Sequence, residues 1–133
     1  MSTTHPPISV FPKDYDRLIS MAENVAQSDP DLAEFLSQEL NRASTAKPSR
    51  KSRFVAMGSY VRFRDESAGN IQDVQLVYPN DADVAAHRIS ILTPVGAALI
   101  GLSEGQSIEW RNRSGKVKAL TVLKVQSELE AVA

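Results

Sequence analysis

The sequence predicts an α+β protein in which a short N-terminal antiparallel helical hairpin precedes an antiparallel-sheet domain with one short helix. Apolar residues recur at helical spacing up to residue 43, and they alternate with a period of two from residue 60 onward. Between the later strands, residues 93–101 combine a capping threonine, a proline and glycines, which is typical of one short inserted helix. The 133 residues suffice for one domain, or for a small domain with an appendage.

Two amphipathic helices are predicted in the N-terminal part. Pro12 suits the first position of one helix, and Asp29 can cap a second helix that begins at Pro30. The two apolar stripes comprise Tyr15, Leu18, Ile19, Ala22, Val25 and Ala26, and then Leu32, Phe35, Leu36, Leu40 and Ala43. Helices of about 15 residues form a hairpin only about 20–25 Å long. Because such a hairpin buries little surface, we expect it to lean on the rest of the protein.

Residues 44–53 show no apolar periodicity and are predicted to form a linker. Strands are expected at residues 60–64, at 71–78, around Ile89 and Ile91, around Ile108 and Trp110, and at 117–126. Turns are expected at residues 65–70 and 112–116, and Trp110 and the last strand are interpreted as sheet core. In the inserted helix, Thr93 is expected to be the N-cap, and Gly101 is expected to end the helix in a left-handed conformation.

Charge divides the chain in similar places. Residues 1–45 carry a net charge of −4, residues 46–64 one of +6 and residues 65–133 one of −3, although the whole chain sums to −1. This segregation predicts a modular organisation. The expected units are an N-terminal segment with the short coiled-coil hairpin at 1–45, a basic linker at 46–53 and the sheet domain at 54–133.

The composition excludes several classes of function. Without cysteine, the chain has no disulfide, thiolate zinc site or cysteine nucleophile. His5 and His87 lack the spacing of metal ligands, and no P-loop motif occurs. No apolar run approaches the roughly 18 residues of a membrane span, and the N-terminus lacks the pattern of a secretory signal. We expect a non-enzymatic cytoplasmic protein with no metal, cofactor, membrane contact or small-molecule substrate.

Two charged clusters each allow two interpretations. Asp29, Asp31 and Glu34 lie at the predicted hairpin tip, where they could complete the coordination of a divalent metal or simply cap the helix and complement its dipole. The basic residues of the linker could touch phosphates nonspecifically or remain solvated, and no aromatic residues interleave with them as in a stacking platform. These basic residues are Lys47, Arg50, Lys51 and Arg53.

Residues 90–101, SILTPVGAALIG, resemble the C-terminal signature of the Gre transcript-cleavage factors. That signature has Ser or Thr before Pro, a small residue two positions beyond it, and an apolar helix that ends in Gly. Further resemblances to this superfamily, and particularly to its Rnk branch, lie at residues 39–43, 57–59, 61–63, 76–79 and 108–110. Together they cover roughly residues 8–126, and the Rnk branch is named for regulation of nucleoside diphosphate kinase.

The resemblance implies an FKBP-like C-terminal domain that docks on bacterial RNA polymerase at the rim of its secondary channel. By position, the docking loop would consist of Leu92, Thr93, Pro94, Val95 and Gly96. Control of nucleoside diphosphate kinase is what the branch name implies, and an indirect effect through transcription is physically simpler than a direct one.

Gre factors also carry acidic residues at the tip of a long coiled coil, which help to hold a catalytic metal in the polymerase. Asp31 and Glu34 have a similar spacing, but the predicted hairpin is far shorter than such a coil. We therefore expect a non-catalytic regulator that competes with Gre factors. The alternatives are a transcript-cleavage cofactor that uses Asp31 and Glu34, and a prolyl isomerase, which only the fold suggests.

Overall fold

A computed structural model describes residues 8–41, 43–45, 54–111 and 116–126 of the chain. Within these ranges the helices are α1 (Pro12–Val25), α2 (Pro30–Asn41) and α3 (Pro94–Leu99), with single 3₁₀ turns at Pro79–Asp81 and Val84–Ala86. The strands are β1 (Ser9–Val10), β2 (Ser44–Thr45), β3 (Tyr60–Asp65), β4 (Asn70–Val77), β5 (Arg88–Ser90), β6 (Ser107–Arg111) and β7 (Val117–Gln126).

These elements confirm the predicted α+β class, the helical hairpin and the late short helix. Five strands form one sheet in the order β5-β4-β3-β7-β6, and α3 connects its two edge strands. The β3–β4, β3–β7 and β6–β7 pairs are antiparallel. Pro12 and Pro94 begin their helices at the expected positions, because a proline at the first position loses no helical hydrogen bond.

One strand pairing differs from the predicted antiparallel pattern. β5 runs parallel to β4, with Leu76 opposite Ile89. The difference arises because the segment between the two strands is not a tight hairpin turn. It contains both 3₁₀ turns. A parallel pair needs such a longer connection, because the chain must return alongside β4 before β5 begins in the same direction.

A second difference lies at the base of the hairpin. Ser9–Val10 and Ser44–Thr45 form a parallel two-stranded sheet, although the sequence predicts that residues 44 and 45 belong to the linker. Strands of two residues are too short to show any periodicity in the sequence. The pair joins the start of α1 to the end of α2, and Ser9 N–H also donates to Gly101 O at 3.2 Å.

The hairpin leans on the sheet domain, as expected. Leu18, Leu36 and Leu40 are buried in one hydrophobic cluster that also contains Val55 and Leu99. The ring of Phe11, the N-cap residue of α1, lies 4.8 Å from that of Phe54 between centroids. The hairpin therefore shares the core of the sheet domain, which gives two short helices the tertiary packing they need.

Several predictions concern residues outside the described ranges, namely His5, the basic linker at 46–53 and most of the turn at 112–116. The division at residues 45 and 54 stays a prediction. Among the described helices, none combines the length and apolar character that crossing a bilayer would require.

Candidate functional site

The predicted docking loop contains the start of α3, and several hydrogen bonds hold its backbone in place. The Thr93 hydroxyl donates to Ser90 O at 2.7 Å and accepts from Gly96 N–H at 3.0 Å. The Ser90 hydroxyl in turn accepts from Leu92 N–H at 2.9 Å. These bonds confirm Thr93 as the N-cap of α3, and they engage its hydroxyl as both donor and acceptor.

Gly96 is buried because α3 starts directly against the end of β5. A Cβ atom at this position would lie 2.2 Å from Ser90 O and 3.0 Å from the Cα of Ile91. Only glycine allows this close backbone approach. Gly101 ends the helix region with φ of 82°, as predicted, and a Cβ atom there would lie 2.6 Å from that of Ile8.

The five residues of the predicted docking loop therefore divide into two groups. Thr93 and Gly96 shape the backbone, and Gly96 offers no side chain to a partner. Pro94 is exposed, and Leu92 and Val95 are partly exposed, so these three present a small apolar surface. Hydrogen bonds already hold the backbone beneath this apolar surface in place. Such a surface can bind another protein with little loss of conformational entropy.

A groove of about 230 Å³ continues from this loop toward the end of β6 and the start of β7. We call it the α3 groove. It is lined by Pro94 and Val95 on one side and by Phe63, Asp65, Trp110, Lys118, Ala119 and Leu120 on the other. Trp110 and Lys118 are directly opposite each other in the β6–β7 register. The pairing brings an aromatic ring and an ammonium group into the same groove, next to the predicted docking loop.

Trp110, which the sequence predicts as sheet core, is only partly buried against the core. Its indole N–H is shielded from solvent and has no hydrogen-bond acceptor among the described residues. A buried donor without a partner typically costs about 1–3 kcal/mol. Sequence reasoning missed this feature because the neighbour of Trp110 across the hairpin depends on the strand register.

The two charged residues of the α3 groove differ in how they are used. Asp65 accepts from the backbone N–H groups of Ser67 and Ala68 at 2.9 and 3.1 Å, so its carboxylate holds the β3–β4 turn. Within the described part of the chain, the Lys118 ammonium forms no ion pair with an acidic side chain. The groove thus combines mainly apolar walls with one acidic and one basic residue, Asp65 and Lys118.

The three acidic residues of the hairpin tip differ in their contacts. Asp29 Oδ1 accepts from Leu32 N–H at 3.2 Å, which confirms the capping interpretation for this residue. Asp31 and Glu34 are exposed on the first turns of α2. In the described ranges, no three acidic or histidine side chains are grouped so that they could hold a metal ion.

Another contact sets how the hairpin meets the sheet domain. Asp14 of α1 is only 6% exposed, and its carboxylate accepts from the Tyr78 hydroxyl at 3.1 Å. The Arg17 guanidinium lies 3.8 Å from the centroid of the Tyr78 ring. Burial raises the pKa of Asp14, although the Tyr78 hydrogen bond opposes this shift. Burial and the nearby Asp14 carboxylate also raise the pKa of Tyr78.

Two protein families match consecutive parts of the chain. Residues 6–44 match the family described as Rnk N-terminus, and residues 50–127 match the C-terminal domain of the transcription elongation factors GreA and GreB. The boundary between the two matches falls between the helical hairpin and the sheet domain.

Individual proteins give the same result. The regulator of nucleoside diphosphate kinase of Escherichia coli K12 is 34% identical over 96% of this chain and 95% of its own length. The elongation factor GreA of Syntrophobacter fumaroxidans is 33% identical over 69% of this chain but only 59% of its own length. Among solved structures, a GreA/GreB elongation factor from Nitrosomonas europaea has a TM-score of 0.68 and 37% identity, covering 91% of this chain and 98% of that one.

Proposed function

The chain belongs to the GreA/GreB family of transcription elongation factors, in the group of the regulators of nucleoside diphosphate kinase, and from this premise we propose that it binds bacterial RNA polymerase at the rim of the secondary channel. There it competes with Gre factors and does not stimulate transcript cleavage. Its relation to the named regulators and elongation factors makes it a transcription-factor-like regulator. Any effect on nucleoside diphosphate kinase would then run through transcription.

The observation that most supports binding is the exposed tip of the predicted docking loop. Pro94 projects from a helix start whose backbone is held by Ser90, Thr93 and Gly96. A preorganised apolar tip loses little conformational freedom when it binds. Of the three tip acids, Asp29 caps α2, while Asp31 and Glu34 are exposed on its first turns.

The length of the hairpin supports competition without cleavage. α1 has 14 residues and α2 has 12, which corresponds to helices about 20 Å long. The match to the Syntrophobacter GreA covers 59% of that factor, whereas the match to the Escherichia coli regulator covers 95%. The matched region thus spans nearly the whole regulator but about three fifths of the GreA protein. A short hairpin docked at the rim would occupy the entrance without reaching the active centre.

Binding to core RNA polymerase tests the proposal through the variant Pro94→Glu. Glutamate at the first position of a helix is compatible with folding because it complements the helix dipole. A charge in the middle of the apolar tip is expected to weaken binding at least tenfold. The matched control is Pro79→Glu, which changes another exposed proline at the first position of a 3₁₀ turn.

Wild type and Pro79→Glu should bind with similar affinity and should displace a Gre factor from polymerase, whereas Pro94→Glu should do neither. Circular dichroism and urea unfolding check that both variants are folded. Absence of wild-type binding would contradict the proposed partner. Equal binding by the two variants would contradict the proposed docking loop.

A further inference from the structure

We propose that a groove on the outer face of the sheet binds a free nucleotide as a ligand, with its base stacked on Tyr60 and its phosphate held by Lys124 and Arg62. The groove has a volume of about 540 Å³ and shares no lining residue with the α3 groove. We call it the sheet-face groove. Its floor carries the side chains of Tyr60 and Arg62 of β3, Asp73 and Gln75 of β4, and Lys124 and Gln126 of β7. The inference is therefore independent of polymerase binding.

One row of side chains across the floor is suited to a base. Tyr60 lies opposite Gln75 on β4 and opposite Gln126 on β7. Tyr60 is 41% exposed, so its ring is available for stacking, and any base can stack on it. The Gln75 amide nitrogen donates to Gly58 O at 3.2 Å, which orients this side chain. Glutamine amides carry both donors and acceptors, so they can form hydrogen bonds with the edge of a base.

The next row supplies positive charge. Arg62 lies between Asp73 and Lys124, so two cations are directly opposite each other on β3 and β7. Such a like-charged pair is unfavourable unless an anion lies close to it. Asp73 accepts from Nε and Nη2 of Arg62 at 2.8 and 3.2 Å, so these two charges balance each other. In the part of the chain that the structure describes, Lys124 has no acidic partner, and an anion would balance its charge.

The spacing of the two rows and the wall of the groove fit one nucleotide. Tyr60 and Arg62 are two residues apart on β3, which is about 6.6 Å. The base and the 5′-phosphate of a nucleotide are likewise separated by one sugar. His87 lines the groove with φ of 58°, and its carbonyl accepts from Gln75 N–H at 2.9 Å, which holds this wall against β4.

The number of rings on the floor indicates a free nucleotide over a nucleic-acid strand. Tyr60 is the one Phe, Tyr or Trp side chain among the described residues that line the groove. A platform for single-stranded nucleic acid stacks successive bases on several aromatic side chains. The groove volume also falls in the range that is usual for sites of small ligands.

Titration of the full chain with AMP in a calorimeter tests the inference, and adenosine and inorganic phosphate each supply one half of this probe. Tyr60→Ala removes the stacking ring, and Lys124→Met removes the charge but keeps an apolar stem. Ile71→Ala and Lys118→Met are the matched controls, because they shorten an exposed apolar side chain of β4 and remove a lysine charge from β7 outside the groove. Urea unfolding checks that each variant is folded.

Wild type should bind AMP, and adenosine and phosphate should each bind about tenfold more weakly, because neither contacts both rows. Tyr60→Ala should weaken AMP binding about tenfold, as expected for the loss of one stacked base. Lys124→Met should weaken it about fivefold and make it less dependent on salt, which a purely structural role would not do. Both controls should bind AMP within twofold of wild type.

Several results would overturn the inference. Absence of AMP binding by wild type would exclude the site, and equal losses in the control and groove variants would place AMP elsewhere. Phosphate that binds as tightly as AMP would indicate an anion site without a base. Binding of a short oligouridylate without binding of AMP would indicate a nucleic-acid strand as the occupant. The proposed function stands in each case, because it concerns other residues.

Discussion

Thr93 and Gly96 give the start of α3 a backbone geometry that fits directly against the end of β5. The Thr93 side chain caps the helix, and the absent side chain of Gly96 lets the helix backbone approach Ser90. The two residues therefore act on the shape of the predicted docking loop, while Pro94 supplies its exposed surface.

Gly96→Ala should lower the free energy of unfolding by about 1–3 kcal/mol, as expected for overpacking against fixed backbone. Its added methyl group would lie 2.2 Å from Ser90 O. This oxygen is a backbone atom, so it cannot move aside as the end of a flexible side chain could. The loss should occur even though alanine has the higher helix propensity. Urea unfolding curves measure the difference.

Gly105→Ala is an informative control for this substitution. Gly105 has φ of 88°, and no heavy atom lies within 4 Å of the position that an added methyl group would take. Alanine there should lower the free energy of unfolding by about 1 kcal/mol, because of the left-handed backbone conformation alone. A Gly96→Ala protein as stable as wild type would contradict the close approach between α3 and β5.

At the scale of elements, the helical hairpin is attached to the sheet domain by a polar contact as well as by the shared core. Asp14 on α1 and Tyr78 after β4 are 64 positions apart in the chain, and they form a partly buried hydrogen bond. Arg17 covers the Tyr78 ring from the same helix. The contact fixes one face of α1 against the sheet and so sets the position of the hairpin relative to the predicted docking loop.

Replacement of Asp14 by asparagine should change how stability depends on pH. Burial raises the pKa of Asp14, while Tyr78, Lys13 and Arg17 act to lower it. A carboxyl group with a raised folded pKa favours folding most below its unfolded pKa of about 3.9, and this contribution is lost as the pH rises through the folded value. Wild type should therefore gain stability relative to Asp14→Asn as the pH falls from neutrality towards 4.

Urea unfolding at several pH values between 4 and 7 measures this difference. Tyr78→Phe supplies a second comparison: it removes the hydrogen bond that lowers the Asp14 pKa, so its stability should rise more than that of wild type on acidification. A constant difference between wild type and Asp14→Asn across this range would show that the carboxyl group is not shielded as described.

At the scale of the whole molecule, the proposed competition depends on how far the hairpin extends beyond a docked sheet domain. The helices are short, and their apolar faces are used to pack on the core they share with the sheet. The hairpin is therefore shorter than a long coiled coil, and it packs on the sheet domain along its apolar faces.

The protein should not stimulate cleavage in stalled transcription complexes, because Asp31 and Glu34 would remain far from the active centre. The double variant Asp31→Asn/Glu34→Gln should behave as wild type in this assay and should still compete with a Gre factor, which serves as the positive control. Cleavage that wild type stimulates and the double variant does not would favour the cofactor alternative.

The sequence alone determined the features that depend on neighbouring residues. Pro12, Pro94 and the caps at Asp29 and Thr93 mark helix starts, because proline geometry and capping hydrogen bonds act within a few residues. The period-two pattern located the long strands, and the residues around Thr93 and Pro94 carried the resemblance to the Gre factors. The α+β class followed from these local signals.

Only the tertiary structure decided which distant groups meet. Contacts between separate elements include the parallel β4–β5 pair, the two-residue strands β1 and β2, the hydrogen bond from Tyr78 to Asp14 and the placement of Trp110 beside Lys118. Periodicity shows which face of an element is apolar, but it does not specify the strand or side chain that covers that face. The α3 groove arises from such a choice of partners, which is why the sequence pattern around Trp110 predicts only an ordinary core residue.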